Sequence, residues 1–120
     1  MRVITHEGAG VAPWNVAAHP ITLGPGGVRA GDAPLIFYHF HAFKRVTRTL
    51  YDPGLARYGA EMTRMLKDAV YLTYLAELRG IEHELRRTVP HLPRGWGSAR
   101  GLGLKGLVLQ ALRRQLLVAP

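Results

Sequence analysis

The sequence predicts an α+β fold: a small, mainly antiparallel β segment, then a long helix, then a basic amphipathic helix at the C-terminus. Three observations carry that expectation. Between residues 2 and 42, short β-branched and aromatic runs alternate with Gly- and Pro-rich turns. From Tyr58 to about Arg87, apolar residues recur at helical spacing. After the Pro/Gly-rich stretch "VPHLPRGWGSARGLG", the run "LKGLVLQALRRQLL" takes up the helical period again. With 120 residues, 48% of them hydrophobic and 20% charged, the chain has material for one modest core. The division read from it is 1–88 as one structural unit (strands within 2–42, helix 53–88), 89–103 as a linker, and 104–120 as the basic helix.

In the β segment "RVIT" reads as a first short strand, closed by the turn "HEGAG". Pro13 and Pro20 argue against central strands at their positions. "PITL" and "VRA" are strand candidates joined by "GPGG", and "GD" before "APLIFYHF" reads as a hairpin turn. If "PLIFYHF" is extended, Ile36, Tyr38 and Phe40 share one face, and Leu35, Phe37, His39 and His41 share the other. In "YDPG" Asp52 is placed to cap a helix with Pro53 at its first position. Tyr58, Met62, Met65, Ala69 and Leu72 then begin an apolar stripe that drifts through Tyr71, Leu75, Leu78, Ile81 and Leu85. Gly80 costs about 1 kcal/mol inside a helix, or breaks it, and Pro90 ends the pattern.

Charge is unevenly distributed. Up to Leu85 there are nine Lys/Arg against eight Asp/Glu, whereas the remainder carries seven basic residues and no acid. A helix bearing Lys105, Arg113 and Arg114 beside its leucines suits an anionic membrane surface, each basic residue contributing about 1 kcal/mol, and residues 104–118 are the candidate peripheral contact. The competing reading packs the leucine face on the long helix. Trp96 between Arg94 and Arg100 would also allow contact with nucleic acid, but no nucleic-acid-binding motif accompanies it. The absence of cysteine excludes disulfides and thiolate metal sites. The opening residues lack the apolar core of a signal peptide, and no run is long enough to span a bilayer. A cytoplasmic chain, peripheral to the inner membrane face if the tail binds lipid, is the expectation.

The stretch "PLIFYHFHAFKR" places His39 and His41 two residues apart, so on an extended strand both imidazoles project to one side. Such a pair chelates a first-row divalent ion if further ligands exist, and otherwise is a pair of surface or core histidines. "HEGAGVAPWN" (6–15) followed by "PLIFYHFHAFK" (34–44) resembles the closing segment of a family of bacterial nucleotide-diphospho-sugar transferases, glycosyltransferases of the A-type fold. There, "H-x-G-x-x-x-A-P-W-N" precedes a turn-rich pair of strands, then "L-x-F-Y-H-F-H-G", then a Tyr-rich helix similar to "YLTYLAELRGIEHEL" here. The resemblance covers about residues 3–88.

The resemblance implies a divalent cation, manganese or magnesium, bridging the diphosphate of a sugar nucleotide and neutralising charge on the departing group. It implies His39 as metal ligand, with His41 as the alternative, and Lys44 as a phosphate contact. It further implies Asn15 as a hydrogen-bonding group for the donor or acceptor sugar, and Trp14 as a residue packing on a ring or into the core. Two departures stand out. Ala42 occupies the place of the family's glycine after "HFH", and the paired-aspartate motif of the nucleotide-binding half lies upstream of anything in this chain. The expectation is therefore a C-terminal transferase segment, inactive alone. It would need a sugar-nucleotide donor, an acceptor and the missing N-terminal portion, or would self-associate through the surface that portion would cover.

Overall fold

The computed structural model describes residues 5–89, 91, 108, 111 and 116–119, and the architecture is α+β. Two small antiparallel sheets of three strands each accompany one long helix. The first sheet is a meander of β1 (Ile21–Gly24), β2 (Gly27–Ala30) and β3 (Ala33–Pro34). Its loops are the expected "GPGG" and "GD" turns: Gly24 pairs with Gly27 and Ala30 with Ala33, leaving two residues at each corner. Gly31 takes φ 57° at the first corner position of the second turn, a conformation that glycine adopts without steric cost. The second sheet has β5 (Leu50–Asp52) at its centre, flanked by β4 (Lys44–Arg45) and β6 (Leu117–Val118). Short 3-10 turns at Glu7–Ala9, Val16–Ala18 and Leu55–Tyr58 link these pieces.

The long helix starts at Arg64 rather than at Pro53. It runs as α1 (Arg64–Leu66), a wide π-turn (Lys67–Tyr71) and α2 (Leu72–Thr88). Thr63 is its cap, the hydroxyl oxygen accepting from the Leu66 amide at 3.2 Å. Asp52 looks like a cap in sequence but lies buried in β5, where Oδ1 accepts from the Gly54 amide at 2.8 Å. "Asp-Pro-Gly" thus closes a side-chain turn, with Gly54 at φ 78°, and the backbone is diverted from a helix start. The helix passes through Gly80 without a break, on an exposed face. The π-turn explains the drifting apolar stripe, because it lets the consecutive residues Val70 and Tyr71 both reach the core.

Two further expectations are revised. The strand read across "PLIFYHF" is confined to Ala33–Pro34; beyond it, Tyr38 alone makes a parallel bridge, to Val11. The C-terminal helix read over 104–120 does not reach its end: Val108 and Ala111 are helical, but Leu117–Val118 is a strand. Leu117 is fully buried and pairs with Tyr51, so sheet pairing overrides the helical period there. Most of the rest of that span, most of the 89–103 linker and the first strand up to Ile4 lie outside the described residues.

The core gathers between the sheets and the helix. Tyr71, Leu55, Leu66, Leu75 and Leu117 are its largest fully buried side chains. Around Tyr71 the rings of Tyr38, Phe40 and Phe43 pack mostly edge-on, while Tyr74 stacks on Phe40 at 3.8 Å. The buried Tyr38 and Tyr71 hydroxyls are 3.1 Å apart, and Tyr71 donates to the Pro53 carbonyl. Burial pushes the Tyr38 hydroxyl up to about 12 and raises that of Tyr71 further, the latter also through Tyr38 and the charge of Asp52.

Candidate functional site

The "PLIFYHFHA" stretch builds the site. Tyr38 is buried and Phe40 half-buried toward the core, while Phe37 and His39 are exposed on the opposite side, as alternation requires. The phase is wrong one step earlier: Leu35 packs on the core and Ile36 is exposed. The cause is local. The Gly8 carbonyl accepts from both the Ile36 and Phe37 amides, at 2.9 and 3.0 Å, so two successive N–H groups face the same way and parity slips as at a bulge. Gly8 is required for this, because a Cβ there would lie 1.8 Å from the Pro34 carbonyl oxygen.

Past Tyr38, the His39 amide donates to the Val11 carbonyl at 2.8 Å, tying the stretch to the loop before Trp14. The chain then turns: the Phe43 amide donates to the Phe40 carbonyl at 3.2 Å, with Ala42 at φ 59°. That is the third position of a type II turn, where glycine is favoured. Ala42 occupies this left-handed region with its methyl group in place. The turn rests on Gly54, whose own Cβ would come within 2.7 Å of the His41 carbonyl oxygen and 2.9 Å of the Ala42 Cβ.

This folding brings His39 and His41 together with ring centres 5.4 Å apart and planes at 79°. Trp14 lies edge-on to both, at 5.3 and 5.6 Å. It is 50% exposed, so of the two readings of Trp14 the core anchor is not what its burial describes. Tyr58 was read in sequence as the first residue of the helical stripe. It instead ends a 3-10 turn and stands 5.9 Å from both Trp14 and His41. Nothing in the sequence spacing marks it as a neighbour of the histidines.

The remaining candidates have other engagements. Asn15 clamps its own loop: Oδ1 accepts from the Ala12 amide at 2.7 Å and Nδ2 donates to the Gly10 carbonyl at 3.0 Å. It shapes the turn that carries Trp14. Lys44 on β4 faces Asp52 on β5 in register, with its ammonium 3.7 Å from Oδ2 of that buried carboxylate. Arg45 reaches Glu82 on α2 at 3.3 Å and the Thr47 and Arg48 carbonyls. Hydrogen bonding from Arg86 first, with the charges of Arg45 and Arg86, holds the Glu82 carboxyl below the usual carboxylate range. The basic pair after the histidines thus splits between the second sheet and the helix.

The 5.4 Å between the His39 and His41 ring centres is compatible with two imidazoles meeting one ion. With metal–nitrogen bonds of about 2.1 Å, two imidazoles on one ion hold their ring centres about 5–6 Å apart. Both histidines are exposed, and neither side chain makes a hydrogen bond among the described residues. Among the described residues no three His, Cys, Asp or Glu side chains gather into a metal-holding group. Further donors would have to come from elsewhere. No helix among the described residues is long and apolar enough to cross a membrane.

Comparison with known proteins adds little to this geometry. No family model matches the chain, and no solved structure matches it. A similar curated protein is the uncharacterized protein YfnD of Bacillus subtilis (strain 168), 27% identical over 96 residues. The aligned stretch takes in 80% of this chain but 30% of YfnD, so the chain spans under a third of that relative's length.

Proposed function

We propose that this chain supplies part of a divalent-cation and sugar-nucleotide diphosphate site in a glycosyltransferase-like protein, and that it is inactive alone. The observation that carries the reading is the pair of exposed imidazoles, 5.4 Å apart and without hydrogen-bond partners among the described residues, on a turn fixed from below by Gly54. His39 is the ligand, anchored through its backbone to Val11, and His41 stands beside it. Nitrogen donors favour a transition ion such as manganese over magnesium. The cation would neutralise charge on the diphosphate, and its remaining ligands would be phosphate oxygens, water and side chains outside the described residues. Lys44 contacts a phosphate only by exchanging Asp52 for it, so it is a secondary contributor. The resemblance of residues 3–88 to transferase closing segments, and the short span of YfnD that aligns, support a segment of a larger site.

The test is manganese binding followed by electron paramagnetic resonance of the free ion, with and without uridine diphosphate. The expected result is uridine diphosphate-dependent uptake by the wild-type chain, weakened about tenfold by His39→Ala and less by His41→Ala. Uptake that is equal in both variants, or absent at millimolar concentrations, overturns the proposal.

A further inference from the structure

The distal half of α2 carries an apolar stripe that leaves the core behind. Leu78, Ile81, Leu85 and the cap residue Val89 follow one another at intervals of three and four, so they share one face over about 16 Å of helix. Leu78 is half-buried, whereas Ile81, Leu85 and Val89 are 57%, 46% and 44% exposed. Single exposed apolar residues are ordinary, but a run of three on one helix face is an unpartnered surface. Beside it lies a second row at helical spacing, Glu77, Gly80, Glu84 and Arg87, all exposed. Glu84 and Arg87 meet at 3.3 Å, with side chains 67% and 68% exposed, and Arg87 uses only Nη1 in that contact. A Cβ on Gly80 would meet nothing within 4 Å, so packing inside this chain does not call for the glycine, although it weakens the helix.

The charges along the stripe select its partner. Glu77 and Glu84 beside the apolar face disfavour an anionic lipid surface, which attracts a basic rim. A second copy of the same helix fits in one direction. In a parallel pair, Glu77 would stand opposite Glu82 of the second copy. In an antiparallel pair about a two-fold axis at Leu85, Leu85 meets its own counterpart and Ile81 meets Val89. Glu84 then comes opposite Arg87 of the second copy, and the symmetry repeats that pair on the other side of the axis. An acid followed one turn later by a base is thus self-complementary when the helix is reversed. Gly80, near the limit of the overlap, gives the end of the other helix room to approach.

We infer that two copies of this chain associate through antiparallel packing of α2, with Leu85 at the centre and reciprocal Glu84–Arg87 pairs at its sides. Three exposed apolar side chains per copy make a small contact, so the association belongs to the weak, transient class. It uses no residue of the proposed cation site and stands independently of that reading.

Sedimentation velocity of the full chain from micromolar to millimolar concentration tests it. Expected is a reversible shift from monomer toward dimer as concentration rises. Leu85→Ala and Ile81→Lys should each weaken the association about tenfold, since each change counts twice across the axis. Glu84→Arg and Arg87→Glu should each weaken it about threefold by setting like charges opposite one another. An equimolar mixture of those two charge variants should recover wild-type association, because every altered charge then meets its opposite. All four positions are exposed, and circular dichroism of each variant confirms the fold. A chain that stays monomeric throughout overturns the inference. Association that Leu85→Ala and Ile81→Lys leave unchanged belongs to another face and overturns it as well. A mixture that associates no better than the single charge variants overturns the antiparallel arrangement.

Discussion

Replacing Gly8 by alanine tests the framework beneath the site. A Cβ at that position would lie 1.8 Å from the Pro34 carbonyl oxygen, 2.8 Å from its carbon and 3.2 Å from the Leu35 Cα. Carbon–oxygen contacts settle at about 3.3–3.6 Å, so one backbone must retreat by about 1.5 Å. Both neighbours are backbone, and no side-chain rotation relieves the clash. The retreat costs about 1–3 kcal/mol as overpacking. It also weakens the two hydrogen bonds that the Gly8 carbonyl accepts from Ile36 and Phe37, worth about 1 kcal/mol each. Together that is about 3–5 kcal/mol, or a melting temperature lower by about 10–20 °C in a chain of this size. Gly10→Ala is the matched control: its Cβ would meet nothing within 4 Å, and its φ of −166° lies outside the left-handed region. Urea unfolding of both variants supplies the comparison, with Gly10→Ala expected within about 0.5 kcal/mol of wild type. If Gly8→Ala loses less than about 1 kcal/mol, the close approach of the two loops, and the parity slip that orients His39, are wrongly described.

Two other outcomes follow from the same packing. Ala42→Gly removes a left-handed alanine, a relief of about 1–2 kcal/mol, against an unfolded-state entropy cost of about 0.4–1 kcal/mol. Thermal unfolding should therefore show a variant as stable as wild type or more so by about 1 kcal/mol, and a clear loss would contradict the turn assignment. The Tyr38 hydroxyl, raised from 10.0 to about 12 by burial, makes folding favour the protonated phenol. That stabilisation is complete below the unfolded value and drains away as pH rises toward 12. Absorbance at the phenolate band should show Tyr38 un-ionised at about pH 11 while the protein stays folded. A Tyr38→Phe variant that loses one tyrosine's worth of phenolate absorbance below about pH 11 would refute it.

Parts of the fold and the site were visible in the residues because they depend on neighbours in the chain. The "GPGG" and "GD" corners follow from glycine at positions that fold back after two residues. The apolar recurrence through Leu75 announced the long helix. His39 and His41 sit close together because they are two apart, although a turn rather than a strand brings them there. The helix start escaped the sequence because Asp52–Pro53–Gly54 has the composition of a cap, and its alternative use, a buried Asx turn at the end of β5, is chosen by strands on both sides. Leu117 and Val118 read as helix because a leucine-rich run satisfies either period, and their pairing with Leu50 and Tyr51 spans most of the chain.

The sequence by itself determined the α+β class, the two tight hairpin corners, the existence of the long helix and the closeness of the two imidazoles. Each is set by local backbone preference or by short periodic spacing. Tertiary structure alone decided that Trp14 and Tyr58 join those imidazoles, that Asn15 and Lys44 are occupied by backbone and by Asp52, and that Ile36 faces outward. These outcomes depend on loops distant in sequence approaching within van der Waals contact, at Gly8 and Gly54, and no local pattern encodes which loops will meet there.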